Sequence, residues 1–126
     1  MSAVIVSVLT PDVLSPMLEL AYGKLIEATV EVQGLETAAA WCKAELAKGR
    51  NGLLVKYADD PKALGANEAA REARLSEYLS LKIADCMESE GALALAKQSR
   101  DLAQLEVEHL RSQLRCLECA VGWERS

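Results

Sequence analysis

A four-three alternation held in one phase from position 75 to position 121 constrains this chain more than any other feature. Its members are Leu75, Leu79, Lys82, Cys86, Ser89, Leu93, Ala96, Arg100, Ala103, Val107, Leu110, Leu114, Leu117 and Val121. Spacing that averages 3.5 residues keeps one seam of a helix turned toward a partner helix. The six positions from Ala103 onward are all apolar, so the seam is cleanest toward the C-terminus. A second seam runs through Leu14, Leu18, Ala21, Leu25, Ala28, Val32, Leu35, Ala39, Cys42 and Leu46, with no charged member. Two long helices meeting along apolar seams follow from this pattern.

Composition agrees with that reading. The 126 residues are 51% apolar and 26% charged, in the range of a globular chain. Aromatic residues make up only 4% and Phe is absent, a palette in which Ala lets helices approach and Leu fills the seam. The length predicts a single domain, residues 1–126. A net charge of −5 argues against a general binder of nucleic-acid backbone, which draws its affinity from clustered Lys and Arg. No apolar run approaches the roughly 20 residues that span a bilayer. The apolar opening at positions 3–9 has no basic residue before it and is short for a secretion signal. A cytoplasmic protein with reduced cysteines is expected.

Local signals divide the chain. Residues 1–14 read as an N-terminal arm, because Pro16 disfavours a helix already under way from Thr10. Helix 1 is expected over 15–49, with Gly23 and Gly34 inside it to let a neighbouring helix come close. Lys48 and Gly49 serve as its stop signal. The connector, 50–66, carries the turn chemistry of Asn51-Gly52, Asp59-Asp60-Pro61 and Gly65. Helix 2 is expected over 67–122, with Asn67 as its cap and Glu68 favourable against the helix dipole. The seam holds its phase through Ser89-Glu90-Gly91, which argues against a break there.

An antiparallel hairpin with Gly49 level with Asn67 sets facing positions to sum to about 116. Cys42 then lies near Arg74, and Leu14 near Leu102. Everything from position 103 to 121 overhangs helix 1, on the order of 28 Å of helix. An apolar seam of that size is rarely left bare. Ala103, Val107, Leu110, Leu114, Leu117 and Val121 are therefore expected to form an interface with further copies of the chain, giving a homo-oligomeric all-α bundle.

Candidate chemistry is sparse. Cys116 and Cys119 have zinc-pair spacing but supply only two of the four ligands of a structural site. Glu106-x-x-His109 has the spacing of di-iron bundles, which need that motif twice, and the chain has one His. No metal and no cofactor are expected. Arg71 and Arg74 lie in the first turns of helix 2, where free N–H groups favour anions. With Arg50 from the connector they make a candidate anion patch, and Arg100 on the seam is a candidate for the same ligand between subunits. No phosphate loop, paired-carboxylate constellation or Ser–His–Asp set is present, so no enzyme is expected.

The stretches Gly65-Ala66-Asn67-Glu68-Ala69-Ala70-Arg71-Glu72-Ala73 and Glu106-Val107-Glu108-His109-Leu110-Arg111 together resemble a loose group of small phage-encoded helical-hairpin accessory proteins. The resemblance covers roughly residues 40–120 and implies a phage or prophage origin, hence a host-cell cytoplasm, rather than an activity. The function expected is non-enzymatic: counter-defence by sequestering an anionic nucleotide signal or by blocking a host defence protein. The alternatives are an accessory to phage recombination or replication that meets single-stranded DNA or a DNA-binding partner, and a purely structural helical adaptor. No membrane partner is expected, and the acidic balance weighs against DNA.

Overall fold

In the computed structural model, which describes residues 10–125 and the side chains of 10–120, every regular element is helical. The elements are α1 (Pro11–Lys56), a 3-10 turn (Pro61–Ala63), α2 (Glu68–Tyr78) and α3 (Ser80–Arg125). The all-α class follows directly from the two seams. None of these helices is long and apolar enough to cross a membrane.

The boundaries differ from those expected. Pro11 opens α1, and the N–H groups of Val13 and Leu14 both donate to the Thr10 carbonyl at 3.0 and 2.9 Å. Positions 11–14 are thus helical rather than part of an arm; residues 1–9 lie outside the described residues. Pro16 is inside α1. Its missing N–H leaves the Asp12 carbonyl without a helical donor, but both residues are exposed and water can serve there. Complete burial of Leu14 offsets the defect.

At the other end α1 continues through Gly49 to Lys56, and the connection shrinks to 57–67. No described glycine has a positive φ, so Gly49 is not a left-handed cap. It serves close approach instead: a Cβ there would sit 3.0 Å from Leu79 Cδ2 and 3.2 Å from Lys82 Nζ. Gly23 and Gly34, expected to admit a neighbouring helix, have nothing within 4 Å of a built Cβ.

Asn67 caps α2 as expected, its Oδ1 accepting from the Ala70 N–H at 2.8 Å. The long second helix is not continuous, and the interruption lies at Leu79 rather than Gly91. Leu79 adopts φ −102° and ψ 10°. Its N–H still reaches the Leu75 carbonyl at 3.0 Å, and Ile83 N–H reaches the Leu79 carbonyl at 2.9 Å. Just past this residue Ile83, half-buried, takes the inward place of exposed Lys82, and the buried row resumes its phase at Cys86.

Two compact units result. One comprises Met1–Val32 with Ala96–Ser126, the other Gln33–Leu95. In the first, Leu14, Ala21, Val107 and Leu110 form a buried cluster, with Leu18, Leu25, Leu114 and Leu117 packed against it. In the second, Cys42 Sγ lies 3.4 Å from Ser89 Oγ, Lys43 pairs with Glu90 at 3.2 Å, and Arg50 pairs with Glu72. Rising numbers on one side meet falling numbers on the other, so the helical segments of this unit are antiparallel.

These contacts correct the register. Cys42 faces Ser89 and not Arg74, and Leu14 shares a cluster with Val107 and Leu110 and not with Leu102. The cause is the continuation of α1 past Gly49, which moves every facing pair toward the C-terminus. The overhang drawn from the earlier register is therefore covered: Val107 and Leu110 are buried within their own chain, and Ala103, Leu114 and Leu117 are half-buried. The side chain of Val121 lies outside the described residues.

Candidate functional site

Within the unit Gln33–Leu95, α1, α2 and the start of α3 enclose a groove of about 310 Å³. Leu46 and Ala47 from α1, Leu75 from α2, and Leu79 and Ile83 form its apolar walls. The break at Leu79 builds this shape, because it turns Leu79 toward Gly49 and brings Ile83 into the row. Ser76, Lys43 and Arg50 complete the lining. The volume sits at the lower end of the range for small-ligand sites, and the walls suit one or two aliphatic side chains.

Both cations on its rim already have partners. Arg50 donates from two guanidinium nitrogens to the two Glu72 oxygens, at 2.9 and 2.5 Å. This bidentate contact raises the Arg50 pKa and, through the same hydrogen bonds, holds the Glu72 carboxyl below its ordinary range. Lys43 is held by Glu90 at 3.2 Å. The groove is therefore an apolar recess with a neutralised rim.

The arginines expected to share an anion do not converge. Arg71 lies half-buried with Nε donating to the Gly65 carbonyl at 3.2 Å, where it ties the turn to α2. A Cβ on Gly65 would meet the backbone of Ala70 and Arg71 at 2.8 Å, so only glycine fits there. Arg74 stacks over Tyr78, its guanidinium carbon 5.8 Å from the ring centroid. Hydrogen bonding to Arg74 and then to Tyr57 draws the Tyr78 phenol below its usual range. The same Tyr57–Tyr78 contact pushes Tyr57 up. Arg100 belongs to the other unit and lies 3.5 Å from Asp101. Arg50, Arg71 and Arg74 share one unit, but each is engaged with a different neighbour.

The cysteines separate into two kinds. Cys86 is buried beside Cys42, and burial first, then the neighbouring Cys42, raises its pKa, which keeps it a neutral thiol. Cys116 and Cys119 are exposed, as are Glu106 and His109. Among the described residues no group of three or more His, Cys, Asp or Glu could hold a metal ion.

Sequence reasoning missed the groove, since it is lined by Leu79, where the helix is interrupted, and by Ile83, which lies inward in place of Lys82. The usable signal was Lys82, the charged position that interrupts an otherwise uncharged start of the second seam. No protein family, curated protein or solved structure matches this chain.

Proposed function

We propose that this chain acts by binding other proteins, as a homo-oligomeric helical bundle whose long helices run as an antiparallel hairpin, and not by catalysis. The observation that carries this reading is the amount of apolar side chain left on the outside. In α1 the seam residues are covered, yet Val13, Met17 and Leu20 on one flank and Tyr22, Ile26 and Val30 on the other are exposed. A helix apolar around most of its circumference belongs inside an assembly. Patches of this kind mark protein interaction sites.

Of the two counter-defence roles expected, blocking a host protein is better supported than sequestering a nucleotide. Arg50, Arg71 and Arg74 are engaged by Glu72, Gly65 and Tyr78, and an anionic ligand must displace those contacts. The apolar groove and flanks need no such exchange. The structural-adaptor reading shares this surface and differs only in the partner.

Native mass spectrometry on protein purified without denaturation tests the reading. The expected result is an oligomer whose mass is a whole multiple of the chain. A monomer carrying an adduct of nucleotide size overturns it and restores the arginines as the site.

A further inference from the structure

Two thiols in the unit Gln33–Leu95 line neither the groove nor the exposed flanks of α1. Cys42 lies on α1 and Cys86 on α3. Gly49 and Leu79 mark the register between these segments, since a Cβ at Gly49 would stand 3.0 Å from Leu79 Cδ2. Cys42 precedes Gly49 by one heptad, and Cys86 follows Leu79 by one heptad. On antiparallel helical segments the two cysteines therefore meet at one level. A direct contact agrees: Cys42 Sγ lies 3.4 Å from Ser89 Oγ, and Ser89 is the i+3 neighbour of Cys86 on one face of α3. The close approach at Gly49 is what a disulfide requires, whose Cβ atoms stand about 3.5–4.5 Å apart.

The two thiols differ in access. Cys86 is buried, and Cys42 is half-buried. Cys42 also lines an open recess of about 90 Å³ with Trp41, Glu45, Lys82 and Asp85. That volume admits molecules the size of water or hydrogen peroxide, and the polar walls can hydrate them. We infer that Cys42 and Cys86 are a redox pair, in which a hydroperoxide entering the recess oxidises Cys42 and Cys86 then closes an intrachain disulfide between α1 and α3.

The peroxide is the only reagent the chemistry needs. Cys42, as thiolate, attacks one oxygen of hydrogen peroxide. An S–O bond forms, the O–O bond breaks, and the leaving hydroxide takes up the proton that the thiol released. The product is a sulfenic acid and one water. Cys86 then attacks Cys42 Sγ; the S–S bond forms, the S–O bond breaks, and hydroxide leaves with the Cys86 proton as a second water. Two thiols lose two electrons together, and one peroxide is reduced to two waters. Burial keeps Cys86 a neutral, sheltered thiol, so the first step falls to Cys42. The bond cross-links the two helices whose Leu46 and Ile83 wall the groove, so oxidation holds that recess at one width.

Peroxide treatment of the full chain carrying Cys116→Ser and Cys119→Ser, which removes the two exposed thiols, tests the pair. Remaining thiols are alkylated in denaturant, and the peptides are mapped by mass spectrometry without reduction. The expected product is two hydrogens lighter, holds a Cys42–Cys86 cross-link within one chain, and regains both thiols with a dithiol reductant. Adding Cys86→Ser should stop the reaction at a Cys42 sulfenic acid, trapped by a 1,3-diketone. If serine there lowers the Tm, Cys86→Ala gives the same reading. Adding Cys42→Ser instead should slow loss of the Cys86 thiol at least about ten-fold. A cross-link only between chains overturns the pair, as does Cys42 passing to sulfinic acid while Cys86 stays reduced. Equal loss of Cys86 without Cys42 overturns it too, and so does survival of both thiols in peroxide that oxidises free cysteine.

Discussion

Truncating Leu14 to alanine probes the register on which the rest depends. Leu14 is fully buried, so the substitution forfeits the whole transfer free energy of the carbons removed. At about 0.8 kcal/mol for each methylene-sized group, that is roughly 2.4 kcal/mol. Leu18, Leu114 and Leu117 around it are only half-buried and can move inward, which keeps the added cavity cost small. A total near 3 kcal/mol is expected, in the lower half of the range for buried leucines. That corresponds to a drop in Tm of roughly 10 °C for a chain of this length. Partner identity comes from a double-mutant cycle followed by urea unfolding at one fixed protein concentration. Leu14→Ala and Leu110→Ala, which share a cluster, should couple by about 1 kcal/mol. Leu14→Ala and Leu102→Ala should add within about 0.5 kcal/mol. Coupling to Leu102 together with additivity at Leu110 would refute the register.

Gly65→Ala should destabilise by about 2 kcal/mol or more, since the new Cβ meets backbone atoms that cannot swing aside. Gly52→Ala, with nothing within 4 Å, should stabilise by about 0.5–1 kcal/mol, and paired thermal melts of the two variants check both signs. Asn67→Ala removes the acceptor for Ala70 N–H and should cost about 1 kcal/mol, visible as faster amide exchange in the first turn of α2. Glu72 has a folded-state pKa below its unfolded value, so its contribution to stability is present above the unfolded pKa and lost as pH falls through the folded one. The Tm difference between wild type and Glu72→Gln should accordingly be largest near neutral pH and vanish in acid below the ordinary carboxylate range; a difference that persists there would contradict the assignment.

The helical period was legible because it repeats. Every member of the first seam, from Leu14 to Leu46, is buried or half-buried, and in the second only Lys82 among the described members is exposed. Register was not legible, because a row of Leu and Ala fits a similar row at several offsets. The offset rested on the stop signal at Lys48 and Gly49, and tertiary packing overrode it: Gly49 is helical and gives Leu79 room. Asn67 was legible for the opposite reason, since a cap acts through a bond to a residue three positions away. The fates of the arginines depend on neighbours that local spacing does not reveal. Glu72 lies 22 positions from Arg50, and Arg71 turns back to the Gly65 carbonyl.

The register error also changes what a glutamate on α3 should do. Under the shorter hairpin, Val107 and Leu110 lie bare and Leu102 lies against Leu14, so a charge at Leu110 would separate copies and one at Leu102 would unfold the chain. The observed burial reverses both expectations. Leu110, 5% exposed, touches the Leu14 cluster, and Leu110→Glu places a carboxylate in a core with no polar partner, which unfolds that unit. Leu102, 63% exposed, lies outside that cluster, so Leu102→Glu leaves helicity untouched. Two substitutions on one helix thus separate a core position from a surface one. Circular dichroism and thermal melts read both variants, and if the two exchanged these phenotypes, the register would fall.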